Sequence, residues 1–168
     1  MPKHEVKFHE IFDDHEVPLE PVVKHVLEEM KYEIADAFGF EAEDIGFEVS
    51  IGGWQKAHVA VYPVGKCGAF ASFDLEQCPG CCAIGITSFM RLAEGLEKQL
   101  NFMTYVRERI AKEAKYGVLM ATITEHQKFE LKMLDARGWH PGSAFRNPKT
   151  KNTLQIWTKD LTHALDMG

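Results

Sequence analysis

The sequence lacks the patterns that would place it in a membrane or secreted class. No apolar run approaches the ~20 residues that a membrane-spanning helix needs. The segment from Met1 to Val6 is polar and carries no apolar signal-peptide region, so we expect a cytoplasmic location and reduced thiols. No internal repeat, low-complexity segment or linker interrupts the 168 residues. A single domain over residues 1–168 is therefore predicted.

Signatures of several enzyme classes are also absent. There is no Walker A sequence, no serine or cysteine in a nucleophile elbow, and no HExxH pair. The eight histidines do not pair at metal-ligand spacing, and the carboxylates fall on predicted solvated faces or loops. The formal net charge of −6 argues against broad binding to nucleic acids or anionic membranes. Catalytic residues are therefore unknown from the residues alone.

The four cysteines, Cys67, Cys78, Cys81 and Cys82, leave three interpretations open. Cys78 and Cys81 have the spacing of a zinc knuckle. Cys67, however, would lie roughly ten residues down its strand, about 30 Å from the turn. The adjacent Cys81 and Cys82 would point to opposite faces of a strand, and a redox pair lacks its usual βαβ context. Small turn and core cysteines are the favoured interpretation, and no metal is predicted.

Periodicity predicts that a helix and an antiparallel meander form the first half of the chain. Residues 4–12 alternate weakly and suggest an initial strand. Residues 20–38 carry apolar side chains at helical spacing and end at Gly39. The period then changes to two, which predicts strands at residues 45–51, 57–62, 69–75 and 82–90.

The second half is predicted to contain a parallel crossover. After strand 82–90 come a helix (96–114), a strand (118–124), a second helix (125–137) and a hairpin (143–158), with residues 140–142 as a loop. In the first helix, Arg107 and Glu108 are assigned to the polar face, and the second helix is expected to bury Phe129, Met133 and Leu134. His126, which opens the second helix, is most simply a cap or a solvated side chain.

The turn from Arg91 to Leu96 carries the functional expectation. A strand, a helix and a parallel strand place this turn where backbone N–H groups and a helix N-terminus would face a phosphate. Its plain interpretation is a connection in which Gly95 supplies an easy bend.

The order of elements resembles the GCN5-related N-acetyltransferase (GNAT) fold. The likeness is greatest to divergent GNAT-like proteins encoded by bacteriophages. Its most specific part is the helix that ends at Gly138-Trp139, followed by the hairpin turn around Asn147-Pro148. The implied fold class is α/β (α+β), with a mixed, mostly antiparallel sheet flanked by helices and with parallel fourth and fifth strands splayed apart.

The resemblance implies an acetyl-CoA cleft between strands 82–90 and 118–124. In this family the pantetheine amides pair with backbone at the end of the fourth strand, and the pyrophosphate lies on the following turn. Gln127 takes the position of a family asparagine and could bond a cofactor amide. The implied cofactor-binding residues are Ser88, Phe89, Met90, Arg91, Ala93, Gly95, Leu96 and Gln127.

Two positions depart from the family pattern. Glu94 occupies the first glycine position of the turn, Gly95 comes one place late, and a carboxylate would repel a pyrophosphate. Leu134 stands where the family often has a tyrosine general acid. The implied function is acetyl transfer from acetyl-CoA to an amine of an unknown acceptor. The alternative is a non-catalytic GNAT-like phage protein with a binding or structural role.

The resemblance implies two partners, a small-molecule cofactor and an unknown amine acceptor. The net charge of −6 argues against nucleic acid and membranes as partners. An exposed closing strand could pair two copies edge to edge, so a homodimer is an open expectation.

Overall fold

The structure, a computed structural model, describes residues 17–53, 55–66, 68–88 and 90–166. The initial strand expected at residues 4–12 lies outside these ranges, as do Cys67 and Phe89. The helices are α1 (Leu19–Glu29), α2 (Lys31–Phe38), α3 (Leu100–Glu113) and α4 (Lys128–Ala136). The strands are β1 (Ile45–Ile51), β2 (Lys56–Pro63), β3 (Ala71–Gln77), β4 (Ile84–Thr87), β5 (Arg91–Leu92), β6 (Val118–Thr124), β7 (His140–Arg146) and β8 (Thr153–Asp160).

The described strands form one eight-stranded sheet. Its order is β1-β2-β3-β4-β6-β8-β7, and the two-residue β5 pairs with β3 beside this path. Neighbours are antiparallel except for β4 and β6, which run parallel. The predicted fold class, a mixed and mostly antiparallel sheet flanked by helices, is confirmed.

The two faces of the sheet differ in burial. On one face, Val59, Phe73, Leu75 and Leu119 are fully buried under the helices, where α1 contacts α3 and β1, and α3 contacts α4. On the opposite face most of the side chains are half-buried or exposed, although Ala60 is buried. We call this second surface the open face, and it includes His58, Ser72, Asp74, Glu76, Ile84, Ile86, Ser88, Met120 and Thr122.

The helix predicted for residues 20–38 is interrupted in the structure. Met30 separates α1 from α2 with φ −96° and ψ 10°. Hydrogen bonds from the Met30 N–H to the Val26 oxygen and from the Ile34 N–H to the Met30 oxygen, both 2.9 Å, continue through the break. The predicted apolar stripe is therefore still buried: Val23, Leu27, Met30, Ile34 and Phe38.

Strand 82–90 and helix 96–114 were predicted too long. The strand is only β4, which pairs with β3 and β6, and the chain pairs with β3 again as β5. Before α3 comes a single 3₁₀ turn at Glu97–Gln99. The helix expected at 125–137 begins at Lys128, because the Gln127 side chain accepts the Thr124 N–H at 2.9 Å and holds the preceding residues in a turn.

Residues 140–142 form the start of β7 instead of the predicted loop. The β7–β8 register is irregular between Pro141 and Ala144. β7 is the last strand in the sheet order, and an edge strand tolerates a proline that cannot donate to a ladder. All of its residues are exposed. The pairing of two copies along this edge stays a prediction.

The burial predicted from helical periodicity was also wrong at three positions. Arg107 and Glu108 are fully buried instead of solvated, whereas Phe129 is 58% exposed instead of buried. Met133 and Leu134 are buried as expected. Within the described ranges, none of the helices combines the length and apolar composition needed to cross a membrane.

Candidate functional site

A cleft opens where β4 and β6 separate. The parallel pairing runs from Ile84 opposite Val118 to Thr87 opposite Ala121 and then stops. β6 continues through Thr124 paired with β8, while the chain beyond Thr87 turns away toward β3. We call the space between Ser88 and Met90 on one side and residues 122–124 on the other the cleft.

Arg107 lies at the side of the cleft that faces the helices. Its side chain is 0% exposed, and Nη1 donates to the Ser88 carbonyl oxygen at 2.7 Å and to the Thr87 Oγ1 at 3.3 Å. The guanidinium carbon is 6.0 Å from the ring centroid of Trp139, within cation–π range. Nε and Nη2 have no hydrogen-bond partner among the described residues. Arg107 thus carries a buried charge with unused donors beside the cleft.

Glu130 and Gln127 form a short chain of hydrogen bonds at the start of α4. The Glu130 carboxylate, in the first turn of α4, accepts a hydrogen bond from Gln127 Nε2 at 3.3 Å. Gln127 Oε1 in turn accepts the Thr124 N–H at 2.9 Å. These contacts join the first turn of α4 to the end of β6.

Glu130 is held incompletely. It is 6% exposed, and its Oε1 has no hydrogen-bond partner among the described residues. The nearest cation, Arg107 Nη2, is 4.0 Å from Oε1, which is beyond hydrogen-bond distance. Burial raises the pKa of the Glu130 carboxyl, while the charge of Arg107 and the Met90 N–H act to lower it. Burial also lowers the pKa of Arg107, although a guanidinium keeps its charge in proteins.

The turn from Arg91 to Leu96 is closed by its own hydrogen bonds. The Ala93 N–H donates to the Phe70 oxygen at 2.8 Å, and the Leu96 N–H donates to the Ala93 oxygen at 3.2 Å. Gly95 adopts φ +84°, a conformation that favours glycine. The exposed Glu94 lies within this turn. The turn therefore has a defined shape, but two of its amides are engaged and it carries a carboxylate.

A polar cluster lies on the open face next to the cleft. His58 Nδ1 is 2.6 Å from Asp74 Oδ1, and both side chains are more than a third exposed. The Ser88 hydroxyl accepts the Asp74 N–H at 3.2 Å and donates to Asp74 Oδ2 at 3.4 Å. Ser88 therefore contacts Arg107 through its carbonyl and Asp74 through its side chain.

The predicted cofactor residues fall into two groups. Ser88, Met90 and Gln127 line the cleft, and the second group lies in the adjoining turn: Arg91, Ala93, Gly95 and Leu96. Their role in binding a cofactor stays a prediction. His126 is exposed and lies 3.3 Å from Asn152 Oδ1 of the hairpin turn, outside the cleft.

Sequence reasoning missed Arg107, Glu130, His58 and Asp74. The one available signal was helical spacing: Arg107 follows Met103 by four positions, and Met103 belongs to the apolar face. For His58 and Asp74, the pairing depends on the β2–β3 register, which places them opposite each other.

The cysteines do not form a metal centre in the described part of the chain. No group of three or more His, Cys, Asp or Glu residues there is arranged to hold a metal ion. Cys78 is half-buried and Cys81 is exposed in the turn before β4, where the Cys78 N–H donates to the Ile84 oxygen at 2.8 Å.

Comparison with known proteins identifies the fold. No protein-family model matches the sequence, and no curated protein matches it. An N-acetyltransferase from Staphylococcus aureus Mu50 matches in structure with a TM-score of 0.55 and 13% identity, over 64% of this chain and 69% of that one. An acetyltransferase of the GNAT family from Streptococcus pneumoniae matches with a TM-score of 0.52 and 10% identity, over 63% and 66%.

A third solved structure includes a cofactor. YncA of Salmonella typhimurium, assigned as an acetyltransferase and solved with its cofactor acetyl-CoA, matches with a TM-score of 0.50 and 14% identity, over 66% of this chain and 69% of that one. Identities this low show shared architecture only. The protein therefore has the GNAT fold.

Proposed function

We propose that this protein is an acyltransferase that moves an acetyl group from acetyl-CoA to an amine. The observation that carries the proposal is the cleft between β4 and β6, with the unpaired N–H groups of the buried Arg107 beside it. A buried charged donor without an acceptor is costly and points to a missing partner. The carbonyl groups of an extended amide-bearing ligand would provide one.

The residues present fit the two ends of acetyl-CoA unequally. At the cleft, Arg107 Nε and Nη2 offer donors that have no partner among the described residues. At the turn, Gly95 provides a suitable bend but Glu94 opposes a diphosphate. The acyl end therefore fits better than the diphosphate end, and we expect modest affinity.

When bound, acetyl-CoA would supply an activated thioester. Attack by the amine forms the C–N bond and breaks the C–S bond, and the amine must lose a proton. Arg107 would stabilise negative charge near Ser88. Asp74 and His58, on the open face beside Ser88, would take up the proton of the amine. Leu134 is fully buried and supplies no proton to the leaving thiolate.

The non-catalytic alternative is not favoured, since the solved structures that share the fold are acetyltransferases. We also expect a likeness to bacteriophage proteins and a cytoplasmic location in a bacterial host.

Acetyl-CoA is expected to bind the protein and raise its melting temperature, because a ligand that binds only the folded state stabilises it. Changing Gly95→Val should weaken binding about tenfold, because a β-branched side chain does not tolerate the +84° φ of this turn. Isothermal titration calorimetry measures this change in Kd separately from any change in stability.

Gly80→Val is the matched control. Gly80 has φ +83° and open space around it, like Gly95, but lies in the turn before β4. It should leave the Kd unchanged. If the wild-type protein does not bind millimolar acetyl-CoA, the acyltransferase proposal is wrong.

Asp74→Asn is expected to reduce kcat/KM for amine acetylation about 100-fold, because it removes the carboxylate that holds His58. The rate is measured as thiol release with spermidine, phenethylamine and amino acid amides as acceptors. Glu48→Gln, an exposed carboxylate on the same face of the sheet in β1, is the control. A wild-type rate in the Asp74 variant would exclude this residue from the chemistry.

A further inference from the structure

We propose that the acceptor is a primary amine with an apolar tail, such as an arylalkylamine, and that the tail lies on the open face over β4 and β6. This inference rests on the proposed function and names the substrate class of the same site. The residues that would select the tail are Ile84, Ile86 and Met120, which we call the apolar strip.

The first argument is the charge beside the position where the amine would react. His58 and Asp74 face each other across β2 and β3, and His58 Nδ1 is 2.6 Å from Asp74 Oδ1. Both side chains are accessible, with exposed fractions of 40% and 37%. The Ser88 hydroxyl donates to Asp74 Oδ2 at 3.4 Å. A carboxylate here attracts the ammonium form of an amine, and the imidazole beside it can take up the proton.

The second argument is the lack of charge on the next two strands. The β3–β4 register places Ile86 opposite Glu76, and the β4–β6 register places Met120 beside Ile86, so all three lie on the open face. The members of the apolar strip are half-buried, which leaves part of their apolar surface accessible. None of the open-face positions in β4 and β6 is charged: Ile84, Ile86, Val118, Met120 and Thr122.

The carboxylates of the open face lie on the other strands. Glu48 is in β1, and Glu76 of β3 is opposite Lys56 of β2. The positive charge of Lys56 opposes the binding of a second cation beside Glu76. An acceptor that extends from Asp74 toward β6 therefore meets apolar surface, and burying that surface favours an uncharged, apolar tail.

The third argument is distance. Diagonal neighbours on one face of an antiparallel pair lie about 7–8 Å apart. Asp74 and Ile86 stand in this relation, because Glu76 is directly opposite Ile86. Met120 lies one strand farther, about 4.8 Å beyond Ile86. A two-carbon chain that ends in an aromatic ring can therefore extend from a nitrogen at Asp74 to the apolar strip.

The first test compares three acceptors that share a primary amine and differ in the tail. Release of coenzyme A from acetyl-CoA is measured with phenethylamine, with ethylamine, which lacks the ring, and with spermidine, whose tail is cationic. We expect kcat/KM for phenethylamine to exceed each of the other two values about tenfold, because only its tail is both large and uncharged. Equal or better use of ethylamine or spermidine would overturn the inference and leave the proposed function intact.

The second test removes the apolar character of the strip with little change of shape. Ile86→Thr keeps a β-branched side chain, and Met120→Gln keeps an unbranched side chain of similar length. Each should lower the ratio of kcat/KM for phenethylamine to that for ethylamine about fivefold. Ile51→Thr is the matched control, since Ile51 is a 43% exposed strand residue that pairs with the buried Ala57 and so lies on the face toward the helices. Thermal melting checks that each variant is folded.

The outcomes separate the acceptor from a second copy of the chain as the occupant of the strip. A lower ratio in the Ile86 and Met120 variants, with no change in the control, supports the inference. An unchanged ratio combined with a smaller mass in sedimentation would assign the strip to contacts between copies and overturn it. An unchanged ratio at an unchanged mass would overturn it as well. If none of the three amines is acetylated by the wild-type protein, the proposed function itself is wrong.

Discussion

Replacing Glu108 with alanine is expected to lower the free energy of unfolding by about 3–5 kcal/mol, the cost of leaving one partner of a buried ion pair alone. Glu108 is 0% exposed on α3, and its carboxylate accepts two hydrogen bonds from Arg137, at the end of α4. It also lies 3.6 Å from Lys159 Nζ of β8. Because arginine cannot give up its charge, the variant keeps an uncompensated buried guanidinium. Chemical denaturation measures the loss.

The neutral partners of Arg137 do not replace Glu108. Asn101 Oδ1, at 3.1 Å, accepts a hydrogen bond but carries no charge. Glu29→Ala is the matched control, since Glu29 pairs with Arg109 at 2.8 Å on the surface, where such pairs contribute little. If Glu108→Ala lowers the free energy of unfolding no more than the control does, the Glu108–Arg137 pair does not stabilise the packing of α3 against α4.

Replacing Arg107 with methionine is expected to destabilise the protein more at neutral than at acidic pH. The variant loses the hydrogen bonds to Ser88 and Thr87 at every pH. It also leaves Glu130 buried without the positive charge that lowers its pKa. Unlike Arg137, however, Glu130 can become neutral by binding a proton. We expect a loss of about 3 kcal/mol near pH 7.5 and a clearly smaller loss near about pH 5.

The direction of this pH dependence follows from the raised pKa of Glu130. A carboxyl whose folded pKa exceeds its unfolded pKa favours folding when protonated. That contribution is complete below the unfolded pKa and is lost as the pH rises through the folded value. Removing Arg107 raises the folded value further, so the added penalty appears on the neutral side.

Denaturation of the wild-type and Arg107→Met proteins at both pH values measures the difference. The double variant Arg107→Met/Glu130→Gln removes the titrating group and should show the same loss at both. An equal loss in the single variant at the two pH values would show that Glu130 does not titrate in this range.

Local patterns were sufficient for several elements. The apolar run at residues 118–124 predicted β6 with the observed bounds, although only one face of the strand is buried. The turn at residues 147–152 was also predicted and is closed by a hydrogen bond from the Asn147 N–H to the Asn152 oxygen. The end of α4 near Gly138 follows from its positive φ of 79°. These features depend on the conformational preferences of a few consecutive residues.

The charged groups of the cleft did not follow from such patterns. Arg107 and Glu108 were assigned to a solvated face because charged residues are seldom buried. They are buried because they find partners on neighbouring elements: Ser88, directly after β4, for Arg107, and Arg137, at the end of α4, for Glu108. Such pairs join residues far apart in sequence, so helical periodicity alone does not indicate them.

At the turn from Arg91 to Leu96 and in the cleft beside it, local sequence determined some features and tertiary structure decided others. The sequence by itself determined a strand, a turn with a glycine bend, a helix and a parallel strand, because those depend on local periodicity and turn chemistry. The tertiary structure decided that β4 and β6 separate after Thr87, and that Arg107 on α3 reaches Thr87 and Ser88 there. Strand register and helix packing bring these groups together, and both are set by contacts between distant parts of the chain.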